Sequence, residues 1–107
     1  MEIGQYNIVL VNLGKSLGTE IQKTRPCVVI SPQEMNRHLR TIVVAPMITS
    51  SSSYPTRVPV QHDRKTAWIA LDQIRTIDRK RIIKVLGNLS RSELGRLKEV
   101  IRETYVE

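Results

Sequence analysis

The stretch GTEIQKTRPCVVISP, residues 18–32, determines the predicted fold. Its first half is polar and charged. Its second half, residues 27–30, is an apolar run rich in β-branched side chains, which is typical of a buried strand. Pro26 fits only at the start of such a strand because it has no amide hydrogen to donate. The stretch therefore predicts a charged loop that leads into a core strand, with Arg25 extended before the proline.

Other segments predict a small barrel around this strand. Residues 25–31 form the central predicted strand, and the others are residues 6–11, 41–47, 56–61, 66–71 and part of 82–89. Residues 32–40 are predicted to be an irregular turn with a helical step. Ser90 followed by Glu93 is a capping-box pattern, and Leu94, Leu97, Ile101 and Tyr105 recur at helical spacing. The sequence predicts a mainly β fold, a small antiparallel barrel or half-barrel with a C-terminal helix.

The composition indicates one globular domain with a polyanionic partner. A chain of 107 residues is predicted to form a single domain, residues 1–107. Lys and Arg number 17 against 10 Asp and Glu, a net charge of +7 that favours nucleic acid over a membrane as partner. Aromatic residues make up only 4%, which argues against binding through several stacking platforms.

Several classes of site and location are disfavoured. One cysteine and two separated histidines offer no zinc-binding spacing, and no phosphate-binding glycine loop occurs, so no metal or cofactor is predicted. Cys27 is expected to be buried and inert, and His38 and His62 are interpreted as loop or surface residues. No apolar run reaches the ~20 residues of a membrane span. With no signal-peptide pattern, a cytoplasmic protein without a membrane partner is expected.

A set of polar residues at predicted strand ends is the candidate site. The set is Glu20, Lys23, Arg25, Thr49, Ser50, Asp72, Gln73 and Arg75. Metal-free RNA cleavage needs a base for the ribose 2′-hydroxyl, cationic donors for the phosphorane, and a proton donor for the leaving 5′ oxygen. The guanidinium of Arg25 matches phosphate oxygens, Thr49 can donate its hydroxyl, and Glu20 or Asp72 can act as base.

Three segments carry a resemblance to a known family. The patterns GxExxKxRPxVVISP, VAPMITS and LDQIRTID occur in this order between residues 18 and 78. Together they resemble the MazF/PemK/Kid family of toxin endoribonucleases. The resemblance implies an SH3-like barrel with a C-terminal helix and a symmetric homodimer. It also implies sequence-specific, metal-independent cleavage of single-stranded RNA, giving 2′,3′-cyclic phosphate and 5′-hydroxyl ends, and neutralisation by a cognate antitoxin.

The resemblance assigns roles to the candidate residues. The implied catalytic residues are Arg25, Thr49, Glu20 and Asp72. The RNA-binding candidates are Lys23, Ser50, Gln73 and Arg75, with Gln73 a candidate for contacting a base. Some members have a histidine and an arginine where this chain has Thr19 and Ala70. Arg25 is therefore assigned to phosphorane stabilisation and is a candidate proton donor, although arginine is a poor base.

Two other functions remain open. One is a non-enzymatic poison on the same barrel, which would bind a topoisomerase subunit as the related CcdB toxins do. Such a protein does not need Arg25 and Thr49 in one pocket. The other is a non-catalytic nucleic-acid-binding domain, whose binding would depend steeply on salt and would release no product.

Overall fold

The apolar segments form strands of an antiparallel sheet. A computed structural model describes residues 2–14, 23–50 and 53–107. The described strands are β1 (Asn7–Asn12), β2 (Thr24–Val29), β3 (Thr41–Ile48), β4 (Arg57–His62), β5 (Lys65–Ala70), β6 (Arg75–Asp78) and β7 (Ile82–Asn88). The described helices are α1 (Gln33–His38) and α2 (Arg91–Ile101), with 3-10 turns at Leu71–Gln73 and Arg79–Arg81 and a π-helical turn at Arg102–Val106. No helix among these is long and apolar enough to cross a bilayer.

The sheet curls into a half-barrel around β3. The strand order is β4-β5-β3-β2-β1-β7, and β6 also pairs with β3. The first part of β3 pairs with β6, its middle with β2, and its last residues with β5, so the strand links both parts of the sheet. The fold is thus the mainly β, SH3-like half-barrel with a C-terminal helix that the sequence predicts.

Two apolar clusters fill the two sides of the curled sheet. Successive side chains of a strand point to opposite faces, and β2 follows this rule. Val28 belongs to the cluster under α2, whereas Cys27 and Val29 belong to the other. Leu97 and Val100 of α2 pack into the first cluster and cover it. We call this first group of residues the α2-side cluster, since one end of it forms the floor of the candidate site.

Helix α2 begins at the predicted capping box. The Ser90 hydroxyl accepts from the Glu93 amide at 3.2 Å, and Glu93 Oε1 accepts from the Ser90 amide at 2.9 Å. The second carboxylate oxygen of Glu93 accepts from the backbone amide of Gln61 at 2.7 Å. One residue therefore caps the helix and joins it to β4. Hydrogen bonds from Ser90 and Gln61 outweigh the effect of burial and lower the pKa of Glu93.

Two local features differ from the sequence prediction. The predicted irregular turn contains the regular helix α1, held by buried Asn36, whose Nδ2 donates to the Ser31 carbonyl at 2.9 Å. The Ser31 hydroxyl in turn accepts from the Val43 amide at 3.1 Å, which ties the helix to β3. Strand β6 was not predicted as a separate element. It has four residues and a single buried apolar side chain, Ile77, which is too little sequence to predict a strand from alternation.

Candidate active site

A cavity of about 250 Å³ lies where β2, β3 and the β4–β5 hairpin meet. The cavity is lined by Arg25, Pro26, Met47, Thr49, His62, Asp63, Lys65 and Ala67. Met47 and Ala67 belong to the α2-side cluster and form an apolar floor. The polar and charged side chains lie around this floor, at strand ends and in the hairpin turn. An apolar base with a few convergent polar groups is the usual form of a ligand site.

Arg25 and Thr49 line this cavity from neighbouring strands. Arg25 is half-buried in β2, next to Pro26, and Thr49 is exposed directly after β3. The register between the two strands pairs Cys27 with Pro46, which brings the first residues of β2 beside the last residues of β3. The structure thus brings together two candidates that lie 24 positions apart in the sequence.

The pKa of Cys27 reflects both its burial and two arginines near this part of the sheet. The cysteine is fully buried, and burial raises the pKa of its thiol to about 12. The positive charges of Arg75 and Arg25 act in the opposite direction on this pKa, since they favour a thiolate. The guanidinium groups of Arg25 and Arg75 therefore both act electrostatically on Cys27, although Arg75 does not line the cavity.

Lys23 and Ser50 lie at the edges of the described segments. The Lys23 amide donates to the Gly14 carbonyl at 3.2 Å, and its carbonyl accepts from the Leu13 amide at 3.0 Å. Lys23 has a left-handed backbone, with φ at 70°, where β1 and β2 come together. Ser50 is exposed and follows Thr49. Glu20, the loop glutamate predicted from the sequence, falls in residues 15–22, outside the described residues.

Asp72 lies in a separate network with Arg57. Arg57 Nε donates to Asp72 Oδ1 at 2.6 Å and Nη2 donates to Oδ2 at 2.9 Å. The Thr56 hydroxyl also donates to Oδ1, at 3.1 Å. The hydrogen bond from Arg57 is the main reason that the pKa of Asp72 is lowered, and a lowered pKa makes the carboxylate a weaker base. Asp72 and the half-buried Gln73 do not line the cavity.

Three ionisable cavity residues are not among the sequence candidates: His62, Asp63 and Lys65. The sequence predicts a turn at His62, but the structure places this residue at the last position of β4. Its side chain is 21% exposed, so it is half-buried rather than a fully exposed histidine. Extending the alternation of buried Val58 and Val60 by two residues would have predicted that His62 faces the same side.

A second basic cleft lies away from this cavity, between α1 and the Arg79–Arg81 turn. It has a volume of about 490 Å³ and is lined by Arg37, His38, Leu39, Arg40, Asp78, Arg79 and Lys80. It contains none of the residues predicted for catalysis. Across the described part of the chain, no group of three or more His, Cys, Asp or Glu side chains is placed to hold a metal ion.

The fold and the cavity define a class of small β-barrel protein with a cationic, hydroxyl-bearing site. The sequence model of one family of this class, described as PemK-like, MazF-like toxins of type II toxin–antitoxin systems, matches residues 4–105. This match covers nearly the whole chain. The chain therefore belongs to the PemK-like, MazF-like toxin family.

Individual relatives agree with this assignment. The chain is 31% identical over 98 residues to the endoribonuclease MazF of Staphylococcus epidermidis, with 86% of this chain and 82% of the relative covered. It is 35% identical over 112 residues to the endoribonuclease PemK of Escherichia coli, with 94% and 82% covered. A solved mycobacterial endoribonuclease in complex with its cognate antitoxin shares the fold, with a TM-score of 0.79 at 18% identity over 94% of this chain and 92% of that chain.

Proposed function

We propose that this chain is a toxin that cleaves single-stranded RNA at short, specific sequences and thereby blocks translation and growth. The observation that carries the proposal is the shared cavity of Arg25 and Thr49, two residues from separate motifs. Membership of a toxin family and similarity to two relatives that are named endoribonucleases support the reaction class. A net charge of +7 suits a polyanionic substrate.

The proposed reaction begins with attack by the ribose 2′ oxygen on the adjacent phosphorus. A bond forms between the 2′ oxygen and phosphorus, the bond from phosphorus to the 5′ oxygen breaks, and the products carry 2′,3′-cyclic phosphate and 5′-hydroxyl ends. Arg25 stabilises the negative charge of the phosphorane because its planar fork of N–H donors matches two phosphate oxygens. Thr49 donates its hydroxyl to a phosphate oxygen. No metal ion or other cofactor enters this reaction.

The base that removes the 2′ proton is chosen from the two carboxylates predicted from the sequence, Glu20 and Asp72. Asp72 already accepts two hydrogen bonds from Arg57 and one from Thr56, and its pKa is lowered. A carboxylate that is paired in this way takes up a proton poorly. We therefore favour Glu20 for removing the 2′ proton, because it belongs to the same motif as Arg25.

RNA binding outside the reacting phosphate is assigned to the remaining candidates. Lys23, Ser50 and Arg75 supply a charge or a hydroxyl near the ends of β2, β3 and β6, and Gln73 is proposed to contact a base. Arg75 contributes to the same electrostatic environment at Cys27 as Arg25 does. Phosphate contacts of this kind position RNA, whereas contacts to base edges select its sequence.

The proposed protein partners are an antitoxin and a second copy of the chain. An acidic antitoxin segment would be attracted to the basic surface and would block RNA by covering Arg25. A solved protein with the same fold is in complex with its cognate antitoxin, which supports an antitoxin as a partner. The homodimer is proposed from the family resemblance, and a cytoplasmic location is proposed as well. Light scattering of the purified chain tests the homodimer directly. We expect a mass of twice the 12.3 kDa of one chain.

The test is cleavage of a pool of single-stranded RNAs in the presence of EDTA, with the new 5′ ends mapped by sequencing. We expect a small set of cut sequences, and a loss of rate of about 100-fold or more for Arg25→Ala, as for removal of one oxyanion-stabilising donor. Arg91→Ala removes the same charge from the exposed start of α2 and serves as the control. Intact RNA, or binding without any product, would favour the non-catalytic alternatives.

A further inference from the structure

The cavity holds a group that the proposed function does not use. His62 lines the same cavity as Arg25 and Thr49, and its side chain is largely shielded from solvent. Leaving-group departure requires a proton for the 5′ oxygen. Arg25 is a poor source of that proton because arginine stays protonated in proteins. The inference below rests on the proposed function and supplies this missing proton donor.

The β4–β5 hairpin fixes the position of His62. The two strands pair residue by residue, from Arg57 opposite Ala70 to His62 opposite Lys65, and only Asp63 and Arg64 lie between them. A two-residue turn sets the register of a hairpin tightly. His62 is therefore held opposite Lys65, with both side chains on one face of the hairpin.

That face is the one that packs against the core. Val58 and Val60 precede His62 at alternate positions of β4, and both are buried in the α2-side cluster. Ala67, the partner of Val60 on β5, belongs to the same cluster and also lines the cavity. His62 thus continues the row of Val58 and Val60 beyond the core and lines the cavity.

Charged groups of both signs line the cavity together with His62. Arg25 comes from β2, Lys65 from β5, and Asp63 from the turn. His62 Nε2 lies 4.0 Å from Asp63 Oδ2, so a carboxylate is available to pair with the imidazolium. Arginine, lysine and aspartate side chains normally keep one charge state near neutral pH, whereas imidazole gains and loses a proton there. Among the described residues that line the cavity, His62 is the side chain of the type suited to proton transfer.

We propose that His62 is the general acid of the RNA cleavage reaction. As the 2′ oxygen bonds to phosphorus, its proton passes to the base of the proposed reaction, a carboxylate. As the bond to the 5′ oxygen breaks, the His62 imidazolium gives a ring proton to that oxygen and becomes neutral. The 5′-hydroxyl product then leaves, the carboxylate base releases its proton to solvent, and His62 takes up a proton from solvent. Arg25 stabilises the phosphorane throughout and keeps its own proton.

The test compares His62→Gln on two RNA substrates. One is ordinary RNA, and the other carries sulfur in place of the leaving 5′ oxygen, whose thiolate departs without a proton donor. On ordinary RNA we expect the cleavage rate of His62→Gln to fall by about 100-fold or more, the usual contribution of general acid catalysis. On the sulfur substrate we expect the variant and the wild type to cleave at similar rates.

His38→Gln is the matched control, because His38 is the other histidine of the chain and lines the separate basic cleft. Equal rates of wild type and His62→Gln on ordinary RNA would overturn the assignment. An equal loss on both substrates would also overturn it, since a misfolded or misplaced site does not distinguish the leaving groups. A wild type that cleaves neither substrate would overturn the proposed function itself, and the assignment with it.

Discussion

Arg57 and Asp72 form a two-pronged ion pair that joins β4 to the turn after β5. Their contacts are 2.6 and 2.9 Å long, and the Arg57 side chain is 14% exposed while that of Asp72 is 35% exposed. Arg57 also lies over the Tyr54 ring, at 5.4 Å from its centroid. The pair therefore gives Asp72 a structural function.

Asp72→Asn tests that structural function. We expect it to lower the free energy of unfolding by about 1 kcal/mol, because a half-exposed charged pair contributes at the low end of the range for charged hydrogen bonds. Urea denaturation of Asp72→Asn, Arg57→Gln and the double variant would measure the coupling between the two residues. RNA cleavage by Asp72→Asn should stay close to wild type. Loss of cleavage with unchanged stability would instead identify Asp72 as the base.

Acid should destabilise the fold through two carboxyl groups. Hydrogen bonding lowers the pKa of Asp72 from its ordinary 3.8, and hydrogen bonds that outweigh burial lower the pKa of Glu93 from 4.5. The unfolded chain therefore takes up these protons first as pH falls. Their contribution to stability is fully present above the ordinary values and is lost as pH falls through the lower folded values. Denaturant unfolding between about pH 6 and pH 2 should show this loss, with a weaker pH dependence in Asp72→Asn.

One substitution in the β4–β5 turn should stabilise the folded chain. Both turn residues have left-handed backbones, with φ at 51° for Asp63 and 63° for Arg64. Such a turn favours glycine in second place, so Arg64→Gly should raise the free energy of unfolding by about 0.5 kcal/mol, since relief of strain exceeds the added chain entropy. Arg64→Ala removes the side chain but keeps the strain, and it should not stabilise. Thermal melts of both variants measure the difference; a Gly variant no more stable than the Ala variant would contradict the strain argument.

Cys27 should act as an internal reporter of unfolding. It is the single cysteine of the chain, it is fully buried, and its thiol has a pKa of about 12 against an ordinary 9.0. The pKa alone lowers the thiolate fraction at pH 8 by about 1,000-fold, and the thiolate is the form that reacts with a disulfide reagent. Labelling should therefore follow unfolding as denaturant is raised. Rapid labelling of the native protein would show that β2 opens locally.

The core and the helix could be predicted because their local sequence agrees with their final environment. Residues 27–30 are apolar and mostly β-branched, and Cys27, Val28 and Val29 are fully buried in the structure. Ser90 and Glu93 form the predicted capping box. In both cases a few neighbouring residues contain the whole physical reason for the structure.

The rest depended on contacts between distant residues. Strand β6 is short and depends on pairing with β3 for its hydrogen bonds. The pair of Arg57 and Asp72 joins residues 15 positions apart, and nothing in either local sequence indicates it. His62 is not among the sequence candidates because the predicted strand ends one residue early, at residue 61. That boundary excludes His62 from the alternating row of Val58 and Val60. Arg25 and Thr49 were predicted as candidates from the sequence, but the cavity that they share required the fold.

The most direct test of the account is a cleavage assay with one 2′-deoxy nucleotide. The substrate is a short RNA that contains a mapped cut sequence, compared with the same RNA lacking only the 2′-hydroxyl at the cleaved position, both in EDTA. The account predicts that the wild type cuts the first RNA to 2′,3′-cyclic phosphate and 5′-hydroxyl ends and leaves the second intact, because the 2′ oxygen is the nucleophile. Cleavage of both RNAs at similar rates would contradict it.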